Sequence, residues 1–317
     1  MLKVFSTRVI VTLIVSFILL VILSCSLTKL SNASEYVTSP KIPITGSAVL
    51  PTAEVETPDV EITQIIELTD TNSVVMDQVY SNDSVALVML ELARVSALTP
   101  RNKPIYLVLN TPGGSVDAGL SLISFAKALP QEIKTLSIFS ASMGFQTAQN
   151  LGERLVLPSS TVMSHRATFG LKGEAHGELF QQLAYTMQIL DGLDNTAAFR
   201  MGITYKQYQT LIADQYWANG PHAVEDKSAD RLVLAKCSKD LLNGTKTINV
   251  ETMFGAFGVV VSKCPLITGI LKVTAPAKEL TNEDLATANQ YVHTMFVDKK
   301  AFVHDYILTN KFNNFNK

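Results

Sequence analysis

Polar and apolar positions divide the chain into stretches of different character. Residues 9–23 read VIVTLIVSFILLVIL, with Thr12 and Ser16 the only polar members, and they follow the cations Lys3 and Arg8. An unbroken apolar run behind two positive charges is the pattern of a signal-peptide core or a short membrane anchor. Residues 26–59 are rich in Ser, Thr, Pro and small side chains and hold no sustained apolar period, as a flexible linker would. Order is expected from about residue 60.

From there the periods alternate. Residues 61–68 alternate and then gather apolar side chains, and residues 73–76 form a further apolar run, so both read as strands. Val85, Val88, Met89, Leu92 and Val95 recur at helical spacing behind the candidate caps Asn82, Asp83 and Ser84. Residues 104–109, PIYLVL, form the continuous run of a strand buried on both faces of a parallel sheet. A helix is predicted over 116–129, stopped by Pro130, then a strand at 136–139 and a helix from 140 to 150. Short strands are predicted on either side of Pro158. Over 180–199, Phe180, Leu183, Ala184, Met187, Leu190 and Leu193 mark one side of a long helix. Strands alternating with helices give an α/β fold. Beyond Leu242 the period fades. Residues 255–271 are apolar, but Lys263 and Pro265 interrupt them, which leaves them too short for a membrane span. The expected organisation is a leader or anchor at 1–25, a linker at 26–59, a catalytic-sized domain at 60–242 and an extension at 243–317.

Charge and cysteines narrow the setting. A net charge of -2 over 317 residues, with no block of Lys and Arg, argues against a nucleic-acid partner. Cys25 closes the sequence Ile22-Leu23-Ser24-Cys25, which resembles a lipidation signal. A lipidated Cys25, a retained anchor and an ordinary signal peptide all place the rest of the chain outside the cytoplasm, an orientation the N-terminal cations favour. Cys237 and Cys264 either pair in an oxidising compartment or stand as separate thiols.

Four features carry chemistry. Ser142 lies between a strand and a helix, in Ser140-Ala141-Ser142-Met143-Gly144, where a nucleophile can protrude beside free helix N–H groups. Alone, such a serine is more often an N-cap. Gly113 and Gly114 end the buried strand and let backbone amides approach a ligand, or simply form a tight turn. His165 follows an apolar strand, where a histidine is usually structural, and Asp214 follows a helix, where an aspartate is usually a solvated cap. His176 and Glu178 lack the spacing of a helical metal site, and no metal or cofactor is expected.

Taken in order, these features resemble the Clp protease proteolytic subunit over residues 60–234. Leu109-Asn110-Thr111-Pro112-Gly113-Gly114-Ser115 is similar to its Asn-Ser-Pro-Gly-Gly turn, and Ala141-Ser142-Met143-Gly144 to its nucleophile motif. Residues 157–165 resemble its Leu-Pro-Asn-Ser-x-x-Met-x-His, and residues 214–224 its triad-acid segment. The resemblance implies a Clp protease/crotonase-type fold, with parallel sheets, flanking helices and an extended handle of strand and helix over 169–199. It implies Ser142 as nucleophile, His165 as base, Asp214 as orienting acid, and the amides of Gly114 and Met143 as oxyanion hole. Gly113, Ser115, Phe169 and Gly170 would contact an extended peptide. The substrate would be a short or unfolded polypeptide, and the chain a homo-oligomer. The chain departs from the family at Phe139 and Ser140, ahead of the nucleophile, and at Pro221 and His222, with one added residue after Asp214. An ATPase partner is not expected outside the cytoplasm. Other readings are an inactive scaffold or substrate-binding ring, a Ser-Lys protease using Lys172, and a crotonase-type acyl-CoA enzyme.

Overall fold

The computed structural model describes residues 61–274, apart from 63, 175–176 and 253–254, together with residues 281–296. The apolar N-terminal run, the linker and Cys25 lie outside the described residues.

The apolar periods become elements for the reasons they suggest. β1 (Ile65–Leu68) alternates exposed and buried positions, while β2 (Ser73–Met76) is almost wholly buried. α1 (Asn82–Leu98) buries Val85, Val88, Leu92 and Val95, one stripe at helical spacing. Its cap is Ser81, one residue before those expected: the Ser81 hydroxyl accepts from the Ser84 N–H, and the Ser81 N–H donates to the Ser84 hydroxyl. β3 (Ile105–Thr111) is buried at every position but Tyr106. α2 (Val116–Ala128) ends before Pro130, and β4 (Ile133–Ala141) runs longer than predicted. Ser140 and Ala141 therefore belong to the strand, and α3 (Met143–Asn150) begins only after Ser142.

The two short strands expected around Pro158 are one strand, β5 (Arg154–Ser164). Its pairing with β4 passes from Val156 to Thr161. Proline offers no N–H to a ladder, and the Leu157 N–H turns instead to the Ser160 hydroxyl at 2.7 Å. α4 (Glu178–Met201) ends at Gly202, whose left-handed φ of 70° closes the helix. No strand precedes it among the described residues after Ser164, so the expected handle consists of a helix without its strand. The remaining elements are α5 (Tyr205–Leu211), β6 (Tyr216–Asn219), α6 (Gly220–Glu225), β7 (Arg231–Leu232), β8 (Leu234–Cys237), α7 (Lys239–Asn243), β9 (Thr245–Thr252), β10 (Gly255–Ser262), β11 (Ile270–Thr274) and α8 (Asn282–Phe296).

The main sheet has the order β2-β3-β4-β5-β6, parallel from β2 to β5, with β6 antiparallel and β7 also paired to β5. Both faces are covered. Leu107 and Leu109 of β3 join Leu92, Val95 and Leu122 from the helices in one core, whereas Val108 joins Ile66, Leu68 and Val233 in another. The strand period of two produces this split. A third core places Phe145 of α3 against Ala197, Met201 and Tyr208. Arg154, 4 % exposed, pairs with Asp230, which Arg200 also meets at 3.0 Å. This knot ties β5 to the end of α4.

The described residues of the extension fold into elements of their own. β9, β10 and β11 form an antiparallel sheet with β10 at its centre, and Val292 of α8 packs on Val250, Val259 and Val261. The apolar run at 255–271 is thus a half-buried strand and the turn after it. Cys237 and Cys264 form a disulfide, and Lys246 pairs with Asp77 at 2.8 Å. No helix among the described residues is long and apolar enough to cross a membrane.

Candidate active site

The register of the sheet makes the site. β4 and β5 are parallel neighbours with Ala141 opposite Met163, so the residues just beyond them emerge side by side at the carboxyl edge of the strands. The Ser142 N–H donates to the Met163 carbonyl at 2.9 Å, and the His165 Nε2 lies 2.9 Å from the Ser142 Oγ. Ser142 has φ 55° and ψ −117°, a left-handed region that costs a non-glycine residue about 1–3 kcal/mol. Although it stands at the N-cap position of α3, its hydroxyl makes no capping bond. That hydroxyl faces the histidine instead.

The Pro-Gly-Gly turn closes over this corner. Gly113 and Gly114 have φ of 94° and 140°. A Cβ on Gly113 would stand 2.6 Å from the Ser142 Cβ and 2.8 Å from the Met143 N, so the backbone there lies directly on the nucleophile. The Tyr80 N–H donates to the Gly113 carbonyl at 2.8 Å, and the Ser115 N–H donates to the Tyr80 carbonyl at 2.9 Å. The Tyr80 hydroxyl donates to Thr147 Oγ1 on α3 at 2.9 Å, which couples the turn to the helix. Burial holds that phenol well above its ordinary pKa. The N–H groups of Gly114 and Met143 donate to no acceptor among the described residues. The second opens α3, where the helix end carries partial positive charge.

Beside Ser142 and His165 lies a cleft of about 190 Å³, walled by Val116, Phe169, Met187 and Leu190. Its polar side comes from α3, α4 and α5. The Asp194 carboxylate accepts from Gln146 Nε2 at 3.1 Å and from Gln209 Nε2 at 2.7 Å. The Tyr205 hydroxyl donates to Asp191 at 2.5 Å. Burial, with the negative charge of Asp191, pushes the Asp194 carboxyl up from its ordinary pKa. The bond to Asp191 pushes the Tyr205 phenol up to about 12.

Ser142, His165, Gly113, Gly114 and Met143 thus meet at one corner, and Phe169 lines the cleft. Four other residues named from the sequence are placed as follows. Ser115 is exposed, caps α2 by accepting from the Ala118 N–H, and commits its own N–H to the Tyr80 carbonyl. Gly170 has no atom within 4 Å of a Cβ built on it, and it lines no part of the cleft. Lys172 is exposed and outside the cleft. Asp214 is exposed in the turn before β6, makes no hydrogen bond or ion pair among the described residues and does not line the cleft. Sequence reasoning missed Gln146, Asp191 and Asp194. Their signal was two carboxylates, at Asp191 and Asp194, on the same helical period as Met187 and Leu190.

Comparison with known proteins adds the following. Residues 58–233, more than half of the chain, match the family described as Clp protease. The ATP-dependent Clp protease proteolytic subunit 2 of Prochlorococcus marinus (strain MIT 9313) is 30% identical over 134 residues, 41% of this chain and 67% of that protein. Its namesake from strain NATL2A is 30% identical over 135 residues, 42% of this chain and 68% of that protein. The ATP-dependent Clp protease proteolytic subunit 3 of Synechococcus sp. (strain CC9902) is 28% identical over 135 residues, with the same two shares, 42% and 68%.

Proposed function

The chain belongs to the Clp protease family, and we propose that it is a serine endopeptidase acting on short or unfolded polypeptides. The observation that carries this reading is the 2.9 Å contact between the Ser142 Oγ and the His165 Nε2 at a strained strand-to-helix turn. In the proposed reaction the Ser142 Oγ bonds to the peptide carbonyl carbon while its proton passes to the His165 Nε2. The Gly114 and Met143 N–H groups receive the oxyanion, and losing one such donor costs about 10²–10³-fold in rate. Collapse breaks the C–N bond, and His165 returns its proton to the leaving amine. Water, deprotonated by the same nitrogen, then attacks the acyl carbon, releases the acid and restores Ser142. We assign no role to Asp214.

The proposal extends to assembly and place. Phe180, Leu183 and Tyr185 stand exposed on α4, as suits a helix that stacks on other copies in a homo-oligomer. The apolar run at 9–23 and the disulfide between Cys237 and Cys264 favour a chain exported or tethered by its N-terminus, with its peptidase domain outside the cytoplasm. A second reading, an inactive ring that only binds polypeptide, draws on the exposure of Asp214. Hydrolysis of an unfolded protein by the full-length chain separates the two: cleavage abolished by Ser142→Ala supports the peptidase, and equal signal from both contradicts it.

A further inference from the structure

We infer that the cleft beside Ser142 receives a positively charged substrate side chain, Lys or Arg, on the acyl side of the cleaved bond. This rests on the serine-peptidase reading of the same site. Asp191 and Asp194 stand one turn apart on α4, half-buried, and line the cleft that Ser142 and His165 open into. Among the described residues neither carboxylate has a cation within ion-pair distance. The cation at the rim, Arg166, is exposed and its guanidinium donates to the Gln209 carbonyl at 3.2 Å.

An independent observation points the same way. Gln146 is 8 % exposed and lines this cleft, and its Oε1, itself buried, has no hydrogen-bond partner among the described residues. Its amide nitrogen is committed to Asp194 and, at 3.2 Å, to the Tyr208 hydroxyl, so an acceptor is what Gln146 leaves unmet. A carboxylate has about four lone-pair sites, and the bonds from Gln146 and Gln209 occupy two on Asp194. On the α3 and α4 side of the cleft the unmet groups are acceptors or anions. A group that answers all of them carries positive charge and several N–H donors. An apolar side chain would dry these groups without pairing them, which is costly. The walls suit the same ligand, because Val116, Phe169, Met187 and Leu190 can cover the methylene stem of Lys or Arg while its head reaches the carboxylates.

The test uses the full-length chain with two panels identical but for the residue at the cleaved position, Lys, Arg, Leu or Glu. One is a set of fluorogenic peptides and the other a set of peptidyl phosphonates that bond to the serine. The inference expects Lys and Arg to exceed Leu in kcat/KM and in phosphonate labelling rate by about 10- to 100-fold. Asp194→Asn should lower the rates for Lys and Arg by about that factor more than it lowers those for Leu. A parent that prefers Leu or Glu overturns the inference, and it does so without any variant having to fold. Equal losses for Lys and Leu in a folded Asp194→Asn protein overturn it too. A chain that reacts with a general fluorophosphonate but shows no cationic preference removes this inference alone. A folded chain that reacts with no probe removes the peptidase reading with it.

Discussion

Gly113→Ala is the substitution most tightly bound to the geometry of the site. The new Cβ would lie 2.6 Å from the Ser142 Cβ, 2.7 Å from the Ala141 carbonyl oxygen and 2.8 Å from the Met143 nitrogen. Two of these atoms are backbone and the third is the first side-chain carbon of the nucleophile, so no flexible group can swing aside. Restoring an ordinary contact of 3.4 Å asks for a displacement of about 0.8 Å. Misplacing a catalytic group by about 1 Å costs roughly 100-fold in rate, or about 2.7 kcal/mol of barrier. The φ of 94° adds about 1–3 kcal/mol of backbone strain, a loss of a few degrees in Tm for a chain of this size. The assay is the second-order rate of fluorophosphonate labelling, read beside a thermal melt. Gly170→Ala is the control, since open space surrounds that position, and it should label at the parent rate. A folded Gly113→Ala protein that labels within about threefold of the parent, under 1 kcal/mol of barrier, would refute the claim that this glycine packs on a working nucleophile.

The other predictions concern the scaffold. Tyr80→Phe removes the bond to Thr147 and should destabilise by about 1 kcal/mol, seen as a lower denaturation midpoint. Asp230→Asn leaves Arg154, 4 % exposed, without its charge partner and should cost about 3 kcal/mol in chemical denaturation at pH 7. Burial alone would raise the Asp230 carboxyl, but its bonds to Arg154 and the charges of Arg154 and Arg200 hold it below its ordinary pKa. Its stabilisation is therefore complete above the unfolded value near ~3.9 and fades as pH falls through the lower folded value. Acid titration should show the parent losing stability below about pH 4 more steeply than Asp230→Asn, which cannot titrate there. Replacing Cys237 and Cys264 together by Ser opens a link across a separation of 27 residues and should cost about 3–4 kcal/mol, while fluorophosphonate labelling persists because the link lies outside the cleft.

Much of this was legible along the chain where a local pattern decides. The run at 104–109 could hardly be anything but a buried strand, and the stripe from Val85 to Val95 marks a buried helical face. Ser142 and His165 were readable as partners only through the resemblance of their motifs to the Clp protease subunit, and the parallel strands β4 and β5 explain why their ends meet at one edge. What escaped depends on tertiary pairing. Pro158 reads as a break, yet β5 continues through it because Ser160 satisfies the Leu157 N–H. β9 alternates polar and apolar side chains but needs β10 beside it to be a strand at all. Asp214 reads as an acid in the right order, but Gln215 takes φ 68° and Tyr216 is buried in β6, and the turn that carries Asp214 stands in solvent. The acceptors of Gln146, Asp191 and Asp194 converge only when α3 meets α4.

The most direct measurement is fluorophosphonate labelling of the full-length chain, with the adduct located by mass spectrometry. The account predicts one adduct on Ser142, absent from Ser142→Ala and strongly slowed in His165→Ala. A folded chain that takes no adduct, or takes it at another residue, would contradict the assignment of Ser142 and His165 as nucleophile and base.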